Sequence, residues 1–194
     1  MKLILASASP RRREILQNIG VPFTVRVADA DESCDLLDAG ARVEAIASRK
    51  CQAMVDLLSA EGSLDDDTLI LAADTLVTLD GAFLGKPCDE ADARRMIEAL
   101  QGRTHAVAGG ICLWYRGRTV TSSELTRVSF APMSKADVEA YLATGESFGK
   151  AGGYAIQGHA SRFISGIEGD YFNVVGLPVH RLFKTLAEEF GIPL

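Results

Sequence analysis

Apolar positions in this chain fall first into a short run and then into stripes at helical spacing. Residues 2–6 ("KLILA") predict a strand. A serine–proline turn follows, with Ser9 as N-cap and Pro10 at the first position of a helix. Ile15, Leu16 and Ile19 supply that helix's apolar face, and Gly20 closes it. Alternation over residues 23–28 predicts a half-buried strand, and an acidic loop, "DADESCD", follows it. From 39 to 60 the stripe Val43, Ile46, Ala47, Met54, Leu57 and Leu58 predicts a long amphipathic helix. Lys50 interrupts the stripe four residues after Ile46, where a lysine ordinarily packs its stem and sends its ammonium to water.

Residues 68–74 form an almost continuously apolar strand that ends on Asp74. A hairpin with Asp80-Gly81 at its turn comes next. Asp89 caps a helix whose face is Met96, Ile97 and Leu100, and Gly102 ends it. Two long strands, 104–115 and 119–131, flank "RGR". Ser134 and Asp137 make a capping-box start to a helix that stops at Gly145. A glycine-rich stretch, "GKAGGYAIQGHAS", precedes a short strand near 162–164. Pro178 begins the last helix, with Leu182, Phe183, Leu186 and Phe190 on one face and Gly191 behind it. Strands and helices alternate early and paired strands dominate the middle. The expected class is therefore α/β with a mixed sheet, as one domain over residues 1–194 with two lobes and no repeat or linker.

Composition narrows the function. Apolar residues at 47% and charged residues at 24% describe a soluble globular protein. A net charge of −6 excludes wholesale attraction to nucleic acid or an anionic membrane. Arg11, Arg12 and Arg13 are then a local positive site on an acidic molecule, which favours a small anionic ligand over a polyanion. Residues 3–6 are too short a run for a signal peptide, and no stretch approaches the roughly 20 apolar residues of a membrane span. Cys34, Cys51, Cys88 and Cys112 are scattered without a zinc-type pair, as in a reduced cytoplasmic protein.

Three arginines at the start of a helix oppose its dipole unless something negative sits there. Ser7, Ser9, the helix amides and the arginines together suit a phosphate. If the first strand and the strand ending at Asp74 run parallel, these groups come near Asp74, a carboxylate that holds a divalent metal or activates water. Each residue alone has an ordinary reading: the arginines as a solvated face, Asp74 as a turn cap, Glu32 as loop surface, Lys86 as an exposed turn lysine. Arginines, two lysines and carboxylates in combination suit a metal-bound polyphosphate.

The ordered set "SASPRR", Glu32 in the acidic loop, "SRK", "AADT", "GKP", "KAGGYAIQG" and "VVGLP" resembles the Maf family of nucleoside triphosphate pyrophosphatases. The resemblance runs from Leu3 to Pro178. It implies a fold like that of the inosine triphosphate pyrophosphatases, with a twisted mixed central sheet, flanking helices and two lobes around a cleft. It implies a cytoplasmic house-cleaning enzyme that cuts a nucleotide between its α- and β-phosphates with Mg²⁺, Mn²⁺ or Co²⁺. Carried over by residue, Asp74 is the proton acceptor, and Glu32 is an active-site carboxylate that shares the metal with it. Ser7, Ser9, Arg11, Arg12, Lys50 and Lys86 contact phosphate. Arg11, Thr75 and Gln157 match the group acting on dTTP and UTP, with modified pyrimidine nucleotides left open as substrates.

Two other readings stay open at this point: a nucleotide-sensing regulator of cell division without turnover, and a pyrophosphatase for 7-methyl-GTP. The family often dimerises, and no residue pattern locates an interface. One departure from the family pattern is Gly109 in "HAVAGG", where a threonine is usual; it bears on strand packing or a minor contact, not on the catalytic set.

Overall fold

In the computed structural model, which describes residues 1–192, two apolar segments lie side by side as parallel strands: Lys2–Ala6 (β1) and Thr68–Leu79 (β3). Leu69 to Ala73 are all buried, as a strand covered on both faces requires. Thr24–Arg26 (β2) pairs with β1 on its other side, also parallel. The rest of the sheet comprises Ala82–Leu84 (β4), Thr104–Tyr115 (β5), Arg118–Phe130 (β6) and Ile164–Glu168 (β7). The order is β2-β1-β3-β5-β6-β7, with β4 folded back on β3. β3–β4 and β6–β7 are antiparallel, so the sheet is mixed and the fold is α/β. Asp80 and Gly81 turn the β3–β4 hairpin with φ of 52° and 80°, the positive values such a two-residue turn needs.

The helices are Pro10–Asn18 (α1), Ala39–Ala60 (α2), Glu90–Leu100 (α3), Lys135–Leu142 (α4), Tyr171–Val175 (α5) and Val179–Phe190 (α6). The expected caps are present: Asp38 accepts the Ala41 amide, Asp89 accepts the Asp92 amide, and Ser134 and Asp137 form a reciprocal capping box. Ser9 precedes α1 without a side-chain cap bond. Several details differ from the periodicity. β2 covers only part of 23–28, Leu57, Phe183 and Phe190 are only half-buried, and the last strand lies at 164–168 after a 3₁₀ turn over His159–Phe163. The five-residue α5 is too short to show a helical stripe. Among the described residues, no helix is long and apolar enough to cross a membrane.

The chain divides into two compact units. The first comprises residues 1–74, 109–124 and the chain from Gly176 onward. Its core includes Leu5, Leu16, Val43, Met54, Ile70, Ile111 and Leu182. Here α2 crosses β5 at backbone contact. A Cβ on Gly110 would lie 2.5 Å from the Val43 carbonyl carbon, so a side chain there would push α2 off the sheet. Its neighbour Gly109, the departure from the family pattern, is buried in the same strand. A cavity of about 200 Å³ near the amino end of β1 is lined by apolar side chains such as Leu3, Leu69 and Leu182, and carries no chemistry.

The second unit comprises residues 75–108 and 125–175. α3 packs on α4 through a core that includes Met96, Ile97, Leu100 and Tyr141. His105, Phe130 and Tyr154 stack edge-on or tilted, with ring centroids 5.0–5.6 Å apart. His105 Nε2 lies 2.7 Å from the Tyr154 hydroxyl, while its Nδ1 has no partner among the described residues. Burial lowers the His105 pKa from 6.5 to about 4. The unfolded chain therefore takes up this proton before the folded one does. His105's contribution is complete above pH 6.5 and is lost as pH falls toward 4, to the extent of about 3 kcal/mol. Denaturant titrations at pH 7 and pH 4.5 should show His105→Phe losing less stability on acidification than the unaltered protein. Equal losses would refute this assignment.

Candidate active site

β1 ends at Ala6 and α1 begins at Pro10, so Ser7 and Ser9 lie in the short turn between them. The β1–β3 ladder runs to the pair Leu5–Leu71. Asp74 lies three residues beyond Leu71 on β3, past the carboxyl end of that ladder, on the side toward which Ser7 leaves β1. Asp74 is not at the end of its strand, as the apolar run suggested, because β3 continues to Leu79. What ends near Asp74 is the pairing with β1. That is where ligands bind in open α/β sheets.

Arg12 is buried, only 9% exposed, and the protein holds its guanidinium from two sides. Nε donates to the Gly176 carbonyl at 2.8 Å and one terminal nitrogen donates to Ser7 Oγ at 3.0 Å. The Ser9 amide also points to Ser7 Oγ, at 3.3 Å. Both acceptor positions of the Ser7 hydroxyl are thus used, which leaves its O–H to offer a ligand. Burial works against the charge on Arg12, and Arg11 adds to that; Asp74 and Glu32 act in the opposite direction. Arg11 is half-buried and burial also holds it below the usual guanidinium range, whereas Arg13 is exposed. The three arginines therefore split into a buried organiser, a half-buried group and a surface residue. A helix pattern alone does not separate them.

The Lys50 ammonium ends at two carboxylates and not in open water. The stem follows the buried face of α2, between Ile46 and Met54, and the side chain is only 17% exposed. Nζ lies 2.8 Å from Asp74 Oδ1 and 3.1 Å from Glu32 Oε1. Asp74 is 15% exposed and Glu32 60%, so the lysine joins a sheltered carboxylate to one reaching in from the surface loop. Other bonds besides the Glu32–Lys50 pair hold that loop. Asp31 accepts both the Ser33 amide and hydroxyl at 2.8 Å, and those bonds hold the Asp31 carboxyl below its usual range. Arg49, beside Lys50 on α2, donates to the carbonyls of Asp31 and Ser33, on either side of Glu32. The sequence reading did not single out Arg49, although it is the middle residue of "SRK".

The first unit thus gathers Ser7, Ser9, Arg11, Arg12, Glu32, Lys50 and Asp74, three cations against two carboxylates. Among the described residues, no group of three or more His, Cys, Asp or Glu side chains could hold a metal by itself. A family model described as Maf-like protein matches residues 2–189. The chain belongs to the Maf-like family. It is 44% identical over 194 residues to a dTTP/UTP pyrophosphatase of Symbiobacterium thermophilum, covering 100% of this chain and 96% of the relative. It is 47% identical to a protein of the same description from Moorella thermoacetica, covering 98% and 96%. Another from Salinibacter ruber is also 47% identical, covering 97% and 91%. Among solved structures, the Ham1 protein of Staphylococcus aureus aligns with a TM-score of 0.47 and 14% identity, over 68% of this chain and 72% of that one.

In this Maf-like chain the second unit carries Thr75, Lys86 and Gln157. Thr75 follows Asp74 on β3 and is half-buried. Lys86 is exposed just after β4, next to Gly85, whose carbonyl accepts the Gly152 amide at 3.0 Å. That bond ties the "GKP" turn to the glycine-rich segment on which Gln157 stands exposed.

Proposed function

We propose that this Maf-like chain is a nucleoside triphosphate pyrophosphatase that hydrolyses dTTP and UTP to the monophosphate and pyrophosphate. Full-length identity of 44–47% to relatives described as dTTP/UTP pyrophosphatases supports the reaction. The single observation that carries the reading is Lys50 held between Asp74 and Glu32 beside the start of α1, since a cation, two carboxylates and a phosphate cradle suit hydrolysis of a polyphosphate. The family match takes in both compact units, and we treat residues 1–194 as one functional domain. The four cysteines are free thiols, which suits a reducing cytoplasm.

In this reading Asp74 orients a water and takes its proton as the oxygen attacks the α-phosphorus in line. The α–β bridging oxygen then leaves with pyrophosphate. Ser7, Ser9, Arg11, Arg12, Lys50 and Lys86 hold phosphate oxygens and offset the charge that builds on the leaving group. Two carboxylates without a third ligand fit an ion that takes its remaining ligands from phosphates and water, as Mg²⁺ commonly does. Glu32 and Asp74 would hold such a cation, Mg²⁺, Mn²⁺ or Co²⁺, which supplies positive charge at the phosphoryl oxygens. Arg11, Thr75 and Gln157 select the base. The Gln157 amide can accept from N3–H and donate to O4 of uracil or thymine.

Incubation with dTTP, UTP, CTP, GTP and 7-methyl-GTP and each metal, followed by product identification, tests this. The expected products are dTMP or UMP with pyrophosphate, with the pyrimidine pair O4/N3–H preferred. Release of inorganic phosphate with a nucleoside diphosphate would overturn the cleavage position. Preference for a guanine nucleotide would overturn the substrate, and tight binding without turnover would favour a sensor.

A further inference from the structure

The segment between α4 and β7 has little regular structure, and its glycines give it no shape of its own. One carboxylate holds its far end. Glu146 Oε2 accepts the His159 amide at 2.7 Å, and Oε1 accepts the Ala160 amide at 3.2 Å. These amides open the 3₁₀ turn His159–Phe163, and such a start leaves N–H groups without intrahelical partners. The preceding residue, Gly158, has no side chain with which to cap it. Glu146 is the cap, supplied from 13 residues upstream.

Gly158 is what allows this. A Cβ on Gly158 would stand 1.9 Å from Glu146 Oε2, so only glycine admits the carboxylate so close to the backbone. The near end of the segment is fastened by other bonds. Lys150 Nζ donates to the Glu146 carbonyl at 2.6 Å, and the Tyr141 hydroxyl donates to the Gly153 carbonyl at 3.0 Å. Ile156 and Ala160 are buried, while Gln157 between them is exposed. The result is a short arch with both feet fixed and Gln157 outside.

We propose that Glu146 is a positioning residue for base selection: by capping His159 and Ala160 it fixes the backbone that aims the Gln157 amide. The inference rests on Gln157 reading the pyrimidine edge, as proposed above. On a loose loop the amide is not delivered to one place beside the base, and ordering the loop on binding weakens affinity. On a fixed backbone it rejects the wrong base by leaving buried polar groups unpaired. The effect therefore falls on KM and selectivity, not on the chemical step.

Glu146→Gln keeps the shape but turns an N–H donor toward one of the two backbone amides. Hydrogen exchange at His159 and Ala160 should accelerate about tenfold or more, the scale of a lost charge-assisted bond. KM for dTTP and UTP should rise about tenfold with kcat within about twofold, while KM for GTP stays nearly constant. Gly158→Ala, with Glu146 intact, should reproduce this pattern by displacing the carboxylate, and it carries the test if Glu146→Gln does not fold. Unchanged exchange overturns the inference. So does a rise in KM shared equally by dTTP and GTP, or a fall in kcat alone. If the unaltered protein lacks pyrimidine preference, the functional reading falls and takes this inference with it. If that preference is present and both variants retain its full ratio, only the inference falls.

Discussion

Asp74→Asn is expected to fold like the unaltered protein and to lose about 10²–10⁴-fold in kcat, the range for removal of a general base. Asparagine matches the aspartate in shape at this mid-strand position, so β3 and its buried neighbours Ala72 and Ala73 are undisturbed. The variant takes away one of the two carboxylates at Lys50 Nζ, but Glu32 remains 3.1 Å away, so the lysine is not left as an unpaired charge. Stability should therefore fall only modestly, through the loss of Asp74's attraction for the buried Arg12 charge, while turnover falls steeply. Pyrophosphate release under saturating dTTP gives kcat, and a thermal melt shows whether the fold is intact. A folded variant with turnover within about tenfold of the unaltered protein would remove Asp74 from the role of base.

Lys50→Met should lower kcat/KM for dTTP by about 10²–10³-fold, the cost of losing one preorganised charge donor at a reacting phosphoryl group. Methionine is close to lysine in length and suits the apolar stripe between Ile46 and Met54 on α2, so helix packing is kept. What disappears is the ammonium 2.8 Å from Asp74 and 3.1 Å from Glu32. The two carboxylates then face each other and an incoming triphosphate without it. Steady-state kinetics and a thermal melt measured together separate the two roles of Lys50. If the melting temperature drops while kcat/KM is retained, Lys50 is a structural brace and not part of the phosphate site.

Much of this molecule was legible in the sequence because burial of one face leaves a period behind it. The stripe from Val43 to Leu58 delimited α2, which spans Ala39–Ala60. Asp89, Ser134 and the Asp80-Gly81 turn marked their elements through local hydrogen bonding and backbone sterics, which depend only on near neighbours. The candidate residues around Asp74 were legible for a different reason. Arginines at a helix start oppose its dipole, but the lysine inside an apolar stripe and the carboxylate closing an apolar run each have an ordinary reading alone. Only their combination suits a polyphosphate, and their individual roles were expected from the family resemblance.

Tertiary structure decided what depends on partners distant in the chain. β2 is short because a strand lasts only as long as its neighbour pairs with it, and β1 offers only Ile4 to Ala6 on that side. Asp74 is set apart by the end of the β1–β3 ladder, not by an end to β3. Arg12 differs from Arg13 because its guanidinium meets a carbonyl 164 residues away, at Gly176. Arg49 and Glu146 look like ordinary surface charges in the sequence, yet one grips the loop that carries Glu32 and the other caps the turn beside Gln157. Periodicity reports which face of an element is buried. It carries no record of where a long polar side chain ends, because that is set by the backbone donors and acceptors the fold brings within its reach.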